Sequence, residues 1–198
     1  GLPKGSLQES TFKMLKKAGF NVNLSSSRSY IPSIDDPQIQ LVLLRAQEMS
    51  RYVQDGALDC GINGNDWILE NKSDVVRITD LTYSKQSLNK VRWVLAVPQD
   101  SGIKCLKDLN GKRVATELVS VASDYFLKNK VKVEVEFSWG ATEAKVSAGL
   151  VDAIVELTET GSSLRANKLV EIATLCESIT QFIANKKAYQ DTWKKAKM

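Results

Sequence analysis

Apolar runs of strand length alternate with helically spaced apolar positions along almost the whole chain. Ser6, two spacer residues and Glu9 read as a capping box opening a helix. Leu7, Thr11, Met14 or Leu15, and Ala18 form its stripe, and Gly19 closes it. Residues 40–44 (QLVLL) and 58–62 (LDCGI) read as strands flanking a short helix at 47–53, which ends at Asp55-Gly56. Asn63-Gly64-Asn65-Asp66 is a loop before a helix at 67–70, with Asn65 or Asp66 as its cap. A strand at 91–97 stops at Pro98, and a helix at 103–109 leads to a strand at 112–116. After a helix at 120–130, residues 131–137 alternate: Val131, Val133, Val135 and Phe137 on one face, Lys132, Glu134 and Glu136 on the other. A helix at 141–150, strands at 152–157 and 180–184, and one amphipathic helix at 186–197 complete the pattern. This order specifies an α/β protein with mostly parallel sheets, whose ligands bind at the carboxyl ends of strands. The loops at Lys4-Gly5, 63–66, 116–120 and 158–163 all follow strands and are the natural rim of a site.

The most informative stretch is 152–169, DAIVELTETGSSLRANKL. An apolar strand carrying Asp152, Glu156 and Glu159 breaks at Thr160-Gly161-Ser162-Ser163 and restarts as a helix. Such a turn suits a phosphate: the first amides of a helix lack intrahelical acceptors, the helix dipole adds positive potential, and glycine admits close approach. Carboxylates just before it suit sugar hydroxyls or a phosphate-bound Mg²⁺. Together they point to a phosphorylated sugar. An ordinary strand–turn–helix junction accounts for the same composition.

Composition narrows the chemistry further. The chain has 198 residues, 43% apolar and 25% charged, which is enough for one large or two small globular domains. No apolar run approaches the roughly 20 residues of a membrane span, and no secretory apolar region opens the chain. A cytoplasmic protein is expected. Its 27 basic and 23 acidic residues are interspersed, and the cluster Lys186, Lys187, Lys194, Lys195 and Lys197 reads as a solvated helix face. Nucleic-acid binding is not expected. Cys60, Cys105 and Cys176 show no C-x-x-C spacing, which argues for a reducing compartment and against zinc. The chain has no histidine, which removes the usual general base and the Ser-His and Cys-His nucleophile systems. Carboxylates, Lys, Arg, backbone dipoles or a substrate-borne metal must carry any catalysis.

Leu2-Pro3-Lys4-Gly5, residues 52–62 (YVQDGALDCGI), 151–167 and 178–185 (SITQFIAN) together resemble the ATP phosphoribosyltransferase family, the first enzyme of histidine biosynthesis. The similarity runs in order across essentially the whole chain. It implies a two-domain α/β fold like the type II periplasmic binding proteins, with a central cleft and two crossing hinge strands, here 92–97 and 180–184. Domain I would hold 1–88 plus 183–198, and domain II 89–182. The implied reaction joins N1 of ATP's adenine to C1 of phosphoribosyl pyrophosphate (PRPP) and releases pyrophosphate.

On that resemblance PRPP is held by Asp152, Glu156, Glu159, Thr160, Gly161, Ser162 and Ser163. Lys4, Arg28 and Arg45 are candidates for pyrophosphate or the ATP phosphates, and Asp152, Lys4 and Arg45 for the catalytic groups. Mg²⁺ is the implied cofactor; it arrives on PRPP, and Asp152 is the one candidate protein ligand. Ser6 stands where many relatives carry Arg, and Glu156 replaces the commoner Asp. Cys60 reads as core, Trp93, Trp139 and Trp193 as packing residues, and Trp67 as an unfavoured candidate for adenine stacking. The family implies a homo-oligomer. Its long form carries a C-terminal histidine-binding domain, and its short form works with a histidyl-tRNA-synthetase-like regulatory subunit; the W-K-K-A-K-M ending fits either form. The competing reading is a non-catalytic solute-binding module of the same fold, which has no need of a T-G-S-S loop preceded by acids.

Overall fold

The computed structural model describes residues 1–82 and 91–198. They form two compact units, Gly1–Leu88 with Ile179–Met198, and Asn89–Ser178. The expected boundary between residues 88 and 89 lies outside the described residues.

The first unit opens with β1 (Leu2–Pro3), α1 (Gln8–Lys17), β2 (Val22–Asn23), β3 (Ser33–Ile34) and β4 (Leu43–Leu44). It continues with α2 (Ala46–Gln54), β5 (Cys60–Gly64), α3 (Asn65–Glu70) and β6 (Val76–Leu81). The expected capping box does not form: Leu7 is the N-cap of α1 and no side chain caps it. Neither Asn65 nor Asp66 caps α3, because the strand runs on to Gly64 and makes that glycine the N-cap. β1 and β4 pair in parallel, placing Pro3 beside Leu44. Leu2, Leu41, Leu43 and Ile62 form one core cluster of this unit, and Val53, Ile68 and Ile183 another.

The second unit begins with β7 (Val91–Pro98), followed by a 3-10 turn at Leu106–Leu109 where a longer helix was expected. Next come β8 (Arg113–Thr116), α4 (Val119–Lys128), β9 (Glu134–Phe137), α5 (Thr142–Ser147), β10 (Ala153–Thr158), α6 (Ser162–Ala166) and β11 (Leu169–Ser178). The sheet order is β11-β7-β10-β8-β9. β8 runs parallel to β9 and β10, whereas β7 is antiparallel to β10 and β11. β7 is an interior strand, and Trp93, Val94, Leu95, Ala96 and Val97 are all buried. Full burial of such side chains stabilises the unit by about 1.5–3 kcal/mol each for the larger ones. Val146 of α5 and Leu164 of α6 join Val94, Ile154 and Leu169 in one cluster, so the two short helices are pinned to the sheet.

The chain then returns to the first unit as β12 (Thr180–Ala184), α7 (Lys186–Gln190) and α8 (Thr192–Lys197). β12 lies between β5 and β6 and is antiparallel to both. All of 180–184 therefore belongs to the first unit's sheet, not only the part beyond 182, because both edges of β12 are bonded there. The expectation of mostly parallel sheets is corrected as well: the strands β7, β11 and β12 that re-enter the sheets run against their neighbours. The single C-terminal helix is in fact two. Asp191 is extended between them, and its side chain accepts from the amide of Lys194, capping α8. Among the described residues no helix is long and apolar enough to cross a membrane.

Candidate active site

The parallel strands β8, β9 and β10 end together, and each feeds a helix: α4, α5 and α6 respectively. Three helix starts and the loop after β10 thus gather at one edge of the second unit. The loop is built by its own polar groups. Gly161 takes φ +71°, a left-handed conformation that suits glycine, and its amide donates to Thr158 Oγ1 at 2.8 Å. Thr160 Oγ1 donates to Ser162 Oγ at 3.1 Å, and Ser163 Oγ to Glu143 Oε1 at 2.6 Å. Arg165 Nη1 returns to the carbonyl of Thr160 at 3.0 Å, bringing a cation to the turn. On the sheet side Arg92 pairs with Glu171 at 2.9 Å. A Cβ at Gly161 would stand 2.8 Å from Arg165 Nη1 and 2.9 Å from Glu171 Oε1, so the ends of those two side chains would have to swing aside. The amide of Gly161 is already used; those of the first turn of α6 have no intrahelical acceptor.

Glu156 lies near the same end of β10. Burial pushes its carboxyl above the ordinary range, and Glu143 and Glu117 push it the same way. Bonds from the Leu157 amide, at 3.0 Å, and from Thr142 act in the opposite sense and do not overcome burial. The raised value makes the native state bind the proton more tightly than the unfolded chain does. Stability from this group is complete below its unfolded pKa of about 4.3 and is lost as pH rises through the higher native value. The Glu156→Gln variant is therefore expected to melt above the wild type at neutral pH, with the gap closing below about pH 4. Thermal melts across that range check this; equal melting temperatures at pH 7 would contradict it.

Asp152 is elsewhere. It precedes β10, at the end opposite the loop, and an extended strand of that length spans about 17 Å at 3.3 Å per residue. The 5-phosphate and hydroxyls of one ribose are a few ångströms apart, so a sugar phosphate on the loop does not reach Asp152. Its carboxylate instead accepts from the Arg113 amide at 2.9 Å and from Lys112 Nζ at 3.1 Å. The Arg113 amide bond, followed by Lys112, holds its pKa below the usual carboxylate range. Asp152 thus ties β10 to the start of β8, at the end of the strand away from the loop. The Asp152→Asn variant is expected to lower stability by less than about 1 kcal/mol, since the pair is partly exposed, and to leave PRPP affinity unchanged. Calorimetric titration checks this; a tenfold loss of PRPP affinity would return Asp152 to the site.

In the first unit, hydrogen bonds bring together the three segments that carry Lys4, Arg28 and Arg45. The amide of Lys4 donates to the carbonyl of Leu44, directly before Arg45, and the amide of Leu43 to the carbonyl of Tyr30. Lys4 Nζ donates to the carbonyls of Ser27 and Ser29, which flank Arg28, at 3.2 and 3.5 Å, and lies 4.9 Å from the Tyr30 ring centroid. Arg45 is the exposed N-cap of α2, and Arg28 is exposed in its loop. Asp66 is 6% exposed and accepts from the amide of Trp67, so it is part of the packing.

Sequence reasoning passed over Glu143, Thr142 and Arg165. For the two on α5 the sequence carries no local signal: Gly140 and Ala141 both take positive φ, which turns the chain out of β9 so that α5 begins beside the loop. Trp93 packs as expected, at 3% exposure, but Trp139 is 91% exposed. Among the described residues no cluster of three or more His, Cys, Asp or Glu could hold a metal ion.

The chain is similar to known proteins along its whole length. The family model described as ATP phosphoribosyltransferase matches residues 45–198. An ATP phosphoribosyltransferase of Chlorobium phaeobacteroides is 56% identical over 198 residues, covering 100% of this chain and 67% of the relative. A chain of the ATP phosphoribosyl transferase (HisG:HisZ) complex from Thermotoga maritima superposes with a TM-score of 0.84 at 28% identity, covering 98% of this chain and 90% of that one. The periplasmic aliphatic sulphonate binding protein SsuA of Escherichia coli, at 16% identity and a TM-score of 0.59, covers 100% of this chain and 67% of its own and shows the shared fold alone. A type II periplasmic-binding-protein-like α/β fold thus carries a transferase sequence, and the chain belongs to the ATP phosphoribosyltransferase family, which performs the first step of histidine biosynthesis.

Proposed function

We propose that this chain transfers the phosphoribosyl group of PRPP to N1 of the adenine of ATP, with the 5-phosphate seated on the loop after β10. The observation that carries the assignment is the braced, left-handed turn at Gly161 at the carboxyl end of β10, with the first amides of α6 and the Arg165 guanidinium around it. Thr160, Ser162 and Ser163 supply hydroxyls that exchange their internal bonds for phosphate oxygens. Glu156, with Glu159 beside it, faces the ribose hydroxyls in place of Asp152. Lys4, Arg28 and Arg45 are assigned to pyrophosphate or the phosphates of ATP, where cations stabilise charge that develops on the leaving group.

The C1–N1 bond forms as the C1–O bond breaks, and pyrophosphate departs with the electron pair. No residue of this chain needs to shuttle a proton at C1, which accords with a chain lacking histidine. Catalysis is positioning plus electrostatics. Mg²⁺ belongs to the substrate in this reading, entering on the pyrophosphate of PRPP. A cytoplasmic setting supplies both substrates. The Thermotoga maritima chain comes from a HisG:HisZ complex, and our reading includes assembly for this chain too: a homo-oligomer, with a histidyl-tRNA-synthetase-like subunit if it is the short form.

The test is ultraviolet absorbance of the purified chain with ATP, PRPP and Mg²⁺, pyrophosphatase being present to draw the equilibrium forward. A rise that needs both substrates is expected. Saturable solute binding with no rise, even with a second subunit added, would contradict transfer.

A further inference from the structure

Trp139 is 91% exposed in a unit whose other tryptophan, Trp93, is 3% exposed. Its backbone is nonetheless firmly held. The amide of Ser138 donates to the carbonyl of Thr116 at 2.9 Å, and Ser138 Oγ lies 3.0 Å from Thr142 Oγ1 in a buried contact. Gly140 at φ +106° and Ala141 at φ +50° then turn the chain sharply, the second at a conformation that alanine rarely adopts. Phe137 meets the indole edge to face, with centroids 4.7 Å apart at 81°, which orients the ring while leaving most of it in solvent. An anchored and propped aromatic left in water is a feature built for contact.

Its location says which contact. Trp139 follows β9, two strand spacings, roughly 10 Å, from the end of β10 where the candidate phosphate loop begins. α5 starts three residues later, and its Glu143 takes the hydroxyl of Ser163 in that loop. We propose that Trp139 is the stacking platform for the purine of ATP, holding the ring by its face beside the ribose bound on the loop. A planar base gains from an indole face whatever its edge pattern, and face stacking leaves N1, on the ring edge, free to attack C1. The inference rests on the loop's seating the phosphoribosyl group.

The test uses Trp139→Ala and Trp139→Phe in the purified chain, with PRPP affinity by calorimetry, the KM for ATP, and tryptophan fluorescence during ATP titration. Trp139→Ala is expected to raise the KM for ATP about tenfold, the size of one lost base stack, with the PRPP affinity within twofold of wild type. Trp139→Phe recovers most of the KM but loses the ATP-dependent quench. An unchanged KM and a persisting quench, with PRPP bound normally, would overturn the stack while the loop reading stands. A changed sedimentation coefficient with an unchanged KM would overturn it too, giving the ring to a second copy of the chain. Failure of the wild type to bind PRPP would bring down the loop reading and the stack with it.

Discussion

Replacing Gly161 by aspartate is expected to abolish PRPP binding while the chain stays folded. The φ of +71° costs a non-glycine residue about 1–2 kcal/mol, which lowers the melting temperature of a chain this size by only a few degrees. The new side chain meets only the movable ends of Arg165 and Glu171, so packing elsewhere is spared. The aspartate nevertheless puts a carboxylate against Glu171 and into the phosphate seat, and it draws Arg165 away from the turn. Losing two charge-assisted hydrogen bonds corresponds to about 3 kcal/mol or more, over 100-fold in affinity. Gly161→Ala serves as the control, sharing the strain without the charge. Titration calorimetry and thermal melts separate the two effects; near-normal PRPP affinity in a folded Gly161→Asp chain would remove the loop from the site.

The second large effect is expected at Lys4. Its bonds to the carbonyls of Ser27 and Ser29 are long, at 3.2 and 3.5 Å, so the side chain is not needed to hold the fold. Its removal takes a cation from the cluster assigned to the departing pyrophosphate. Loss of one such charge-stabilising donor costs roughly 100- to 1,000-fold in turnover. The Lys4→Ala variant should show that loss in kcat with a much smaller change in PRPP affinity, and Lys4→Arg should restore part of it. Steady-state rates at saturating ATP and PRPP make the comparison. A kcat within threefold of wild type would take Lys4 out of the chemistry.

How much of this was legible in the sequence depends on the range of the interactions. The turn at 160–163 was readable because its chemistry is local: a glycine and small hydroxyl residues between an apolar strand and a helix. The strand Val91–Pro98 was readable because a strand buried on both faces is nearly all apolar. β11, the longest strand of the second unit, was missed. It runs along the edge of its sheet with register shifts at Glu171/Ala173 and Thr174/Cys176, so no clean two-residue period survives. The bracing of Asp152 by β8 went unseen for a related reason. Sequence proximity to the loop concealed that a six-residue strand separates the two. Strand geometry alone would have raised the alarm, but the pairing with Lys112 and Arg113 depends on β8 lying next to β10, which only the sheet order reveals. Trp139 illustrates the opposite failure: a tryptophan is a packing residue by default, and its exposure follows from a turn of two left-handed residues that composition does not announce.

Where PRPP sits can be read from backbone amide shifts of the isotope-labelled chain on addition of PRPP and Mg²⁺. The largest shifts are expected at residues 159–163, followed by Glu143 and Glu156, with the amides of Asp152 and Arg113 nearly still. Large shifts around Asp152 with a silent 159–163 loop would contradict this expectation.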